Sequence, residues 1–272
     1  MKLSLSTVST INASFAEDVA AYSAAGFDAI GLWEMKLPAD DAANVALLRE
    51  HGLTVSNCVP TVPSFLQLGV PGLEGPREPS ERLVAICASI KRLAAYEPEC
   101  VLVLTGPAGR RSDNEARAIV RDGLVKAAGV ARAAGVRLGF EPIHPAHRDH
   151  TGFVCSLADA LALLDEAGLD DVGIMADTYN LAEEPPAALA AVTERLAGLH
   201  VAEVPSDGDT SGPRALPGDG DGRAAAAVRA LRDAGWDGTL DVEIFSTPDG
   251  LWGLPADEAA RRAHVAVSRL VS

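Results

Sequence analysis

The sequence predicts an α/β fold, a single (β/α)8 TIM barrel, from three observations. Short β-like runs alternate with longer Ala- and Leu-rich amphipathic runs, and the pair recurs eight times within 272 residues. Glycine follows most of the helical runs, as a left-handed helix end requires. No linker or low-complexity segment interrupts the alternation, so residues 1–272 are expected to form one domain. A doubly wound sheet of eight strands is the alternative, and it leaves the charged strand ends described below unexplained.

The predicted strands are apolar runs, several of them nearly unbroken, which is typical of strands covered on both faces. In chain order they are 2–7, 28–33, 53–59, 100–105, 137–143, 172–177, 198–203 and 239–245. The predicted helices begin at capping signals such as Ser14 ahead of Glu17, or at prolines such as Pro185 and Pro186. They are 15–25, 39–51, 79–96, 113–134, 156–167, 185–195, 221–234 and 256–270.

Two segments that follow strands are long and rich in Gly and Pro, namely 60–78 and 204–222. Long loops in compact domains are usually functional or disordered. Chemistry in (β/α)8 barrels takes place at the C-terminal ends of the strands. We therefore expect lids or substrate loops here, with plain surface loops as the alternative.

The composition restricts the possible partners. With 23 basic and 38 acidic side chains the net charge is −15, which disfavours binding to nucleic acid or to anionic lipid. The N-terminal residues lack the unbroken apolar core of a signal peptide, and no run reaches the ~18 apolar residues of a membrane span. The four cysteines, Cys58, Cys87, Cys100 and Cys155, have no C-x-x-C spacing and are expected to be buried thiols. We expect a soluble, cytoplasmic protein.

Four consecutive predicted strands each end in a charged residue among apolar neighbours: Glu141, Asp177, His200 and Glu243. A charged side chain in such a position is costly unless it is paired or bound to an ion. Three carboxylates and one imidazole that converge make an oxygen-rich site for a single divalent ion. Mn²⁺ is the first expectation and Mg²⁺ the next, with Co²⁺, Fe²⁺ and Zn²⁺ as competitors.

The motifs around these residues resemble those of the xylose-isomerase-like sugar isomerase/epimerase superfamily, over essentially the whole chain. They are F-E-P-I-H-P, A-D-T-Y-N, H-V-A-E followed by R-x-x-P-G-D-G, and V-E-I-F-S. The sugar phosphate isomerase/epimerase branch of the actinobacterial type is the most similar. The resemblance implies that Glu141, Asp177, His200 and Glu243 hold the metal and that both glutamates transfer protons. It also implies that Arg214 contacts substrate oxygens.

The expected geometry is compatible with proton transfer by the two glutamates. Strands five and eight lie about 135° apart on an eight-strand ring, so Glu141 and Glu243 can flank a metal-bound substrate from opposite faces. The metal lowers the pKa of a C–H next to a polarised carbonyl. One glutamate then removes a proton, and the other returns one.

The sequence departs from the family pattern at two positions. Many relatives carry His three residues after the strand-six Asp, where this chain has Asn180. An amide can hydrogen-bond a substrate hydroxyl but cannot act as an acid or base near neutral pH. Glu203 stands where relatives usually carry Asp, and we count both residues as candidate substrate contacts.

Aromatic and histidine side chains complete the set of candidates. The loop after strand five contains His144, His147 and His150, of which His144 is the main candidate for substrate contact. Trp33 ends strand two and Trp252 follows strand eight, and both are expected either to wall a sugar pocket or to pack the core.

These features predict a metal-dependent isomerase or epimerase of a keto-sugar or related polyol, with a small-molecule sugar substrate. A lyase or dehydratase that acts on a keto-sugar, keto-glycoside or inosose through the same enolate is the first alternative. A non-catalytic sugar-binding subunit is the next. A nuclease for abasic DNA sites is disfavoured, because its extra zinc histidines would fall at Asn57-Cys58, Thr105 and Asn180. Barrels of this kind often pair, which suggests a homo-oligomer.

Overall fold

The computed structural model describes residues 1–272 and confirms the (β/α)8 barrel. Eight parallel strands pair in chain order, and β1 pairs with β8 to close the ring. The doubly wound alternative is therefore wrong, because an open sheet leaves its two edge strands unpaired. The strands are β1 Lys2–Ser6, β2 Ala29–Trp33, β3 Thr54–Val59, β4 Cys100–Val103, β5 Leu138–Phe140, β6 Gly173–Asp177, β7 Leu196–Val201 and β8 Thr239–Val242.

One helix follows each strand, and most bounds agree with the sequence prediction within two residues. The helices are α1 Phe15–Ala25, α2 Asp41–Glu50, α3 Pro79–Leu93, α4 Asp113–Ala134, α5 Leu157–Glu166, α6 Pro186–Ala190, α7 Arg223–Asp233 and α8 Ala256–Val271. The prediction of 185–195 as one helix is wrong, since α6 ends at Ala190 and a separate 3-10 turn covers Thr193–Arg195. The prediction of 79–96 as one helix is also too long, since α3 ends at Leu93 and a 3-10 turn covers Ala94–Tyr96.

Several strands end earlier than the sequence predicts, and the difference bears on the site. β5 ends at Phe140 and β8 at Val242, so Glu141 and Glu243 each lie one residue past a strand. Their backbone amides still donate to the neighbouring strand, Glu141 to the Val103 carbonyl and Glu243 to the Val201 carbonyl. The barrel ladder therefore continues for one residue beyond each strand and fixes both glutamates at its rim.

The core has two layers because strand side chains alternate between the helices and the barrel interior. On β4, Val101 and Val103 belong to the large apolar cluster of 61 buried residues. Cys100 and Leu102 face the other way and belong to a cluster of 8 residues. That smaller cluster continues to the end of the barrel that carries the charged residues.

Two further expectations concern the chain as a whole. No helix is both long and apolar enough to cross a membrane. All four cysteines are free thiols, but only Cys58 and Cys100 are buried, whereas Cys87 and Cys155 are half-buried. The expectation that all four are buried is thus wrong for two, which lie on or just before helices α3 and α5.

Candidate active site

The four charged strand-end residues come together at the C-terminal end of the barrel. Asp177 is the last residue of β6 and pairs in register with His200 on β7. Glu141 and Glu243 approach from the two sides, and each of the four residues is at least 95% buried. One potential ligand atom from each residue lies within 4.8 Å of all the others.

The arrangement fits a divalent ion with a small contraction. Ligand atoms at about 2.0–2.2 Å from one ion lie at most about 4.4 Å apart. The observed maximum separation of 4.8 Å exceeds this limit by a few tenths of an ångström, so the four side chains would move slightly inward around an ion. Neither ring nitrogen of His200 makes a hydrogen bond, although both are buried. Buried polar atoms of this kind usually have a partner. Three carboxylates and an unpartnered imidazole are a donor set that suits an ion of charge +2.

The pKa values of two of these residues are perturbed. Burial raises the pKa of Glu141 to about 7. Burial alone would lower the pKa of His200, but the carboxylates of Glu243, Asp241 and Glu141 outweigh it and raise that pKa well above its usual value. His200 Nδ1 lies 3.5 Å from Glu141 Oε1 and 3.4 Å from Glu243 Oε2. The cluster attracts positive charge, whether a proton or an ion supplies it.

Asp241 is a further buried carboxylate that the sequence analysis missed. It lies on β8 in register with His200, and its Oδ2 is 3.5 Å from His200 Nε2. Asn57 Nδ2 donates to the same oxygen at 2.7 Å. A Cβ on Gly31 would lie 2.3 Å from that oxygen, so only glycine leaves room for the carboxylate. A carboxylate on the far side of the imidazole favours a proton on Nε2, which leaves Nδ1 directed toward the ligand cluster.

The signal for Asp241 is present in the sequence. Residues two apart on a strand point to the same face, so the D-V-E run places Asp241 and Glu243 on one side of β8. Both therefore point into the barrel, with Asp241 one layer deeper.

Arg214 is the cationic partner of the cluster. Its Nη1 donates to Asp177 Oδ2 at 2.9 Å and to Glu243 Oε2 at 3.0 Å. The guanidinium lies between two aromatic rings, 4.7 Å from the centroid of Tyr179 and 4.9 Å from that of Phe245. Arg214 is thus held over the ligand cluster, and an ion bound there would share two carboxylates with it.

The 204–222 segment is anchored where it carries Arg214. Glu203 and Ala215 exchange backbone hydrogen bonds, and Arg214 donates its amide to the Phe245 carbonyl. Glu203 Oε2 accepts from the amides of Gly218 and Gly220 at 3.0 and 2.9 Å. The structure therefore places Glu203 under the loop, where it supports the P-G-D-G turn, and away from the cavity wall.

Asn180 lies between two of the carboxylates. Its Nδ2 donates to Glu141 Oε1 and to Asp177 Oδ2, each at 3.2 Å. Its Oδ1 accepts from the backbone amide of His144 at 3.2 Å. An amide donates through its nitrogen and accepts through its oxygen, so Asn180 ties the β5 loop to the ligand cluster.

A cavity of about 370 Å³ opens above the cluster and has two unlike walls. The polar wall comes from β5 onward: Glu141, Tyr179, Asn180, Arg214 and Glu243, with His147, His150 and Thr151 from the β5 loop and Thr210 and Ser211 from the 204–222 segment. Ile143, Gly212 and Phe245 also line the cavity on this side. The apolar wall comes from earlier in the chain. Strand ends supply Trp33, Val59, Leu102 and Leu104, and the 60–78 segment supplies Pro63, Leu68, Val70 and Leu73.

The remaining candidate residues fall in different places. Trp33 lines the cavity and donates from Nε1 to Glu243 Oε1 at 3.3 Å. Trp252 is outside the lining, where its indole donates to the Val8 carbonyl and closes the barrel beside β1. In the β5 loop, His147 and His150 line the cavity, whereas His144 is buried beside Tyr179 and accepts from the Ala146 amide.

The 60–78 segment is held in place by Arg82, a residue that the sequence analysis did not single out. The Arg82 side chain is fully buried and has no carboxylate partner. Its guanidinium donates to the Ser64 carbonyl and hydroxyl and to the carbonyls of Glu74 and Pro76. Burying an arginine on neutral oxygens alone is costly, and here it fixes the loop as a wall.

The comparisons with known proteins agree with this fold. The sequence matches the family described as xylose isomerase-like TIM barrel over residues 19–267, and it matches no curated protein. A structure from Sinorhizobium meliloti has a TM-score of 0.84 at 24% identity, covering 99% of this chain and 98% of that one. The IolI protein with a bound zinc atom has a TM-score of 0.82 at 19% identity, covering 100% and 98%. The Escherichia coli 3-keto-D-glucoside 4-epimerase has a TM-score of 0.76 at 21% identity, covering 100% and 99%. At these identities the likeness to solved structures shows the fold.

Proposed function

The chain belongs to the xylose isomerase-like TIM barrel family, and from that premise we propose that it is a divalent-metal-dependent isomerase or epimerase of a keto-sugar or related polyol. The observation that carries the proposal is the cluster of Glu141, Asp177, His200 and Glu243, buried at the base of a cavity with a polar wall. The fold shared with a 3-keto-D-glucoside 4-epimerase supports it.

The proposed ligands are the four clustered residues, and Mn²⁺ is the proposed ion. A divalent ion there supplies positive charge beside a substrate oxygen and so lowers the pKa of the neighbouring C–H. Zinc remains a competitor, because imidazole binds it well and the IolI structure contains it.

Glu141 and Glu243 are the proposed proton-transfer pair. Each has two carboxylate oxygens and both line the cavity, so one oxygen can face the ligand cluster while the other faces the substrate. Trp33 and Arg214 hold the Glu243 carboxylate by hydrogen bonds, and Asn180 holds that of Glu141. Two fixed carboxylates on opposite sides of the cluster can remove a proton from one face of a carbon and deliver one to the other.

Arg214 and Asn180 are the proposed groups that orient substrate oxygens. Both line the cavity beside the ligand cluster, and both are held in one orientation by their own contacts. A guanidinium that is already in position loses little freedom when the substrate binds and can stabilise negative charge that develops on its oxygen. Asn180 donates to Glu141 and Asp177 and would exchange one of these bonds for a substrate oxygen.

Proton NMR in D₂O tests this function. The metal-loaded protein is incubated with a panel of keto-sugars, and Asp177→Asn is run in parallel as the variant with an impaired ligand set. Solvent deuterium in an intact isomeric sugar is the expected result. An unsaturated product would instead identify a lyase. Full metal occupancy without exchange on any member of the panel would point to a sugar-binding role.

A further inference from the structure

The two walls of the cavity differ in their capacity for hydrogen bonding. All eight lining residues from the first half of the chain, Trp33 through Leu104, are apolar. Of these, Trp33 has its one polar atom already bonded to Glu243. The hydrogen-bonding side chains all come from Glu141 onward. A ligand that fills this cavity therefore finds no free hydrogen-bonding side chain among the lining residues of the β2–β4 strand ends and the 60–78 segment. The polar lining residue His150 lies against that segment, where its carbonyl accepts from the Gly69 amide.

The position of the ligand cluster decides which part of the substrate meets which wall. On the proposed function, the reacting carbon lies between Glu141 and Glu243, which are both on the polar side. The part of the substrate that extends away from it must then lie against Val59, Leu102 and Leu104. An unsubstituted sugar would present hydroxyl groups to this surface, where they would lose water and gain no partner.

The apolar wall is also fixed in shape. Leu104 donates its amide to the Pro63 carbonyl, and the amides of Phe65 and Leu66 donate to the carbonyls of Leu104 and Thr105. Buried Arg82 binds the same segment through Ser64. The backbone groups in these bonds cannot turn toward a ligand without breaking them, so this part of the wall presents its apolar side chains.

We infer that the natural substrate carries an apolar substituent, an aryl or alkyl group attached to the keto-sugar, and that this group binds on the apolar wall. The inference rests on the proposed function and adds the substrate class. A preformed apolar pocket with a few polar groups at one end is typical of sites that bind ligands of mixed character.

A matched pair of probes tests the inference: methyl 3-keto-β-D-glucopyranoside and its phenyl counterpart. Binding to the metal-loaded protein is measured by calorimetry for both compounds. A single methylene in an apolar pocket changes affinity by roughly 10–200-fold, so the phenyl compound should bind at least about tenfold more tightly. Equal affinity, tighter binding of the methyl compound, or no binding of either would overturn the inference.

Two variants assign the preference to the wall. Val59→Thr keeps the branched shape and adds a hydroxyl, and Leu73→Asn changes a half-buried loop residue that the fold tolerates more easily. Each should reduce the phenyl preference. Val84→Asn, which changes an exposed side chain on α3 outside the cavity lining, should leave the preference unchanged. An unchanged preference in both wall variants would contradict the assignment.

Proton exchange of the bound probes in D₂O reports separately on the proposed function. Exchange without a phenyl preference would support the proposed isomerase and contradict the inference that the substrate carries an apolar substituent. A phenyl preference without exchange would keep the apolar wall as a binding site and contradict the isomerase.

Discussion

The β5–β8 side of the barrel and the β2–β4 side face the same cavity but are built from different chemistry. The first buries Glu141, Asp177 and Glu243 around His200, with Arg214 as the only permanent cation among them. The second contributes apolar side chains, and its one buried arginine, Arg82, points away into the 60–78 segment.

The difference shows how a barrel divides its tasks. Charged groups are costly to bury unless they compensate one another or an ion compensates them. Gathering them on neighbouring strands lets one ion and one arginine serve all of them. The opposite side needs no charge, so its side chains are free to set the shape and polarity of the cavity.

The largest expected effect comes from the two glutamates of the β5–β8 side, which is called the polar side below, as the β2–β4 side is called the apolar side. Glu141→Gln and Glu243→Gln keep the size and one oxygen ligand but cannot accept a proton. Since general acid–base catalysis contributes roughly 10²–10⁴-fold, kcat should fall by at least about 100-fold in each. Exposed Glu50→Gln on α2 is the control for the same chemical change. Near-native turnover of both variants with full metal occupancy would refute the assignment.

Removing Arg214 should lower the free energy of unfolding, and the loss should be larger in the metal-free protein than in the metal-loaded one. Arg214→Ala leaves Asp177 and Glu243 buried without their partner, and breaking a buried ion pair costs about 3–5 kcal/mol. Thermal unfolding with and without Mn²⁺ measures this effect. The loss should be smaller in the metal-loaded protein, because the ion replaces the missing charge. An equal loss in both states would show that the ion and Arg214 do not share these carboxylates.

Asp241 is expected to act on the metal through His200. Asp241→Asn keeps the shape but weakens the acceptor behind Nε2, so metal affinity should fall by about 10–100-fold. Calorimetric titration gives the metal Kd, and circular dichroism should show the same fold in the variant. An unchanged Kd would mean that the carboxylate has a packing role only.

The pH dependence of metal binding distinguishes this buried cluster from ordinary carboxylates. Unperturbed carboxylates alone would lose the ion near about pH 5. Because Glu141 holds its proton up to a pKa of about 7 and the pKa of His200 is raised, protons compete with the ion at higher pH. Affinity should fall as pH drops through 7, by about tenfold per pH unit for each proton displaced. A Kd that is constant between pH 7 and about 5.5 would contradict these shifts.

The fold and the polar side were largely predictable from the sequence. Hydrophobic runs, caps and glycines gave the eight units, because they depend on neighbouring residues along the chain. The four charged residues stood out because each interrupts an apolar strand end, as Glu141 does after Phe140. The strand bounds were less accurate, since the end of a strand depends on its neighbour in the ring.

The apolar side could not be predicted in the same way. The contacts of Arg82 with Ser64 and Pro76 follow the path of a loop, and no periodicity encodes that path. Nor does a motif show that Glu203 supports glycine amides while Arg214 lies between two rings. Asp241 is different, because its spacing from Glu243 already placed both on one face.

Titration of the chelator-treated protein with Mn²⁺ tests the central claim most directly, that the polar side holds one divalent ion. The account predicts one Mn²⁺ site per chain in the wild type and its loss in Asp177→Asn. Val59→Thr, on the β2–β4 side, should bind Mn²⁺ as the wild type does. Occupancy near three ions, or no binding under any condition of metal supplementation, would contradict it.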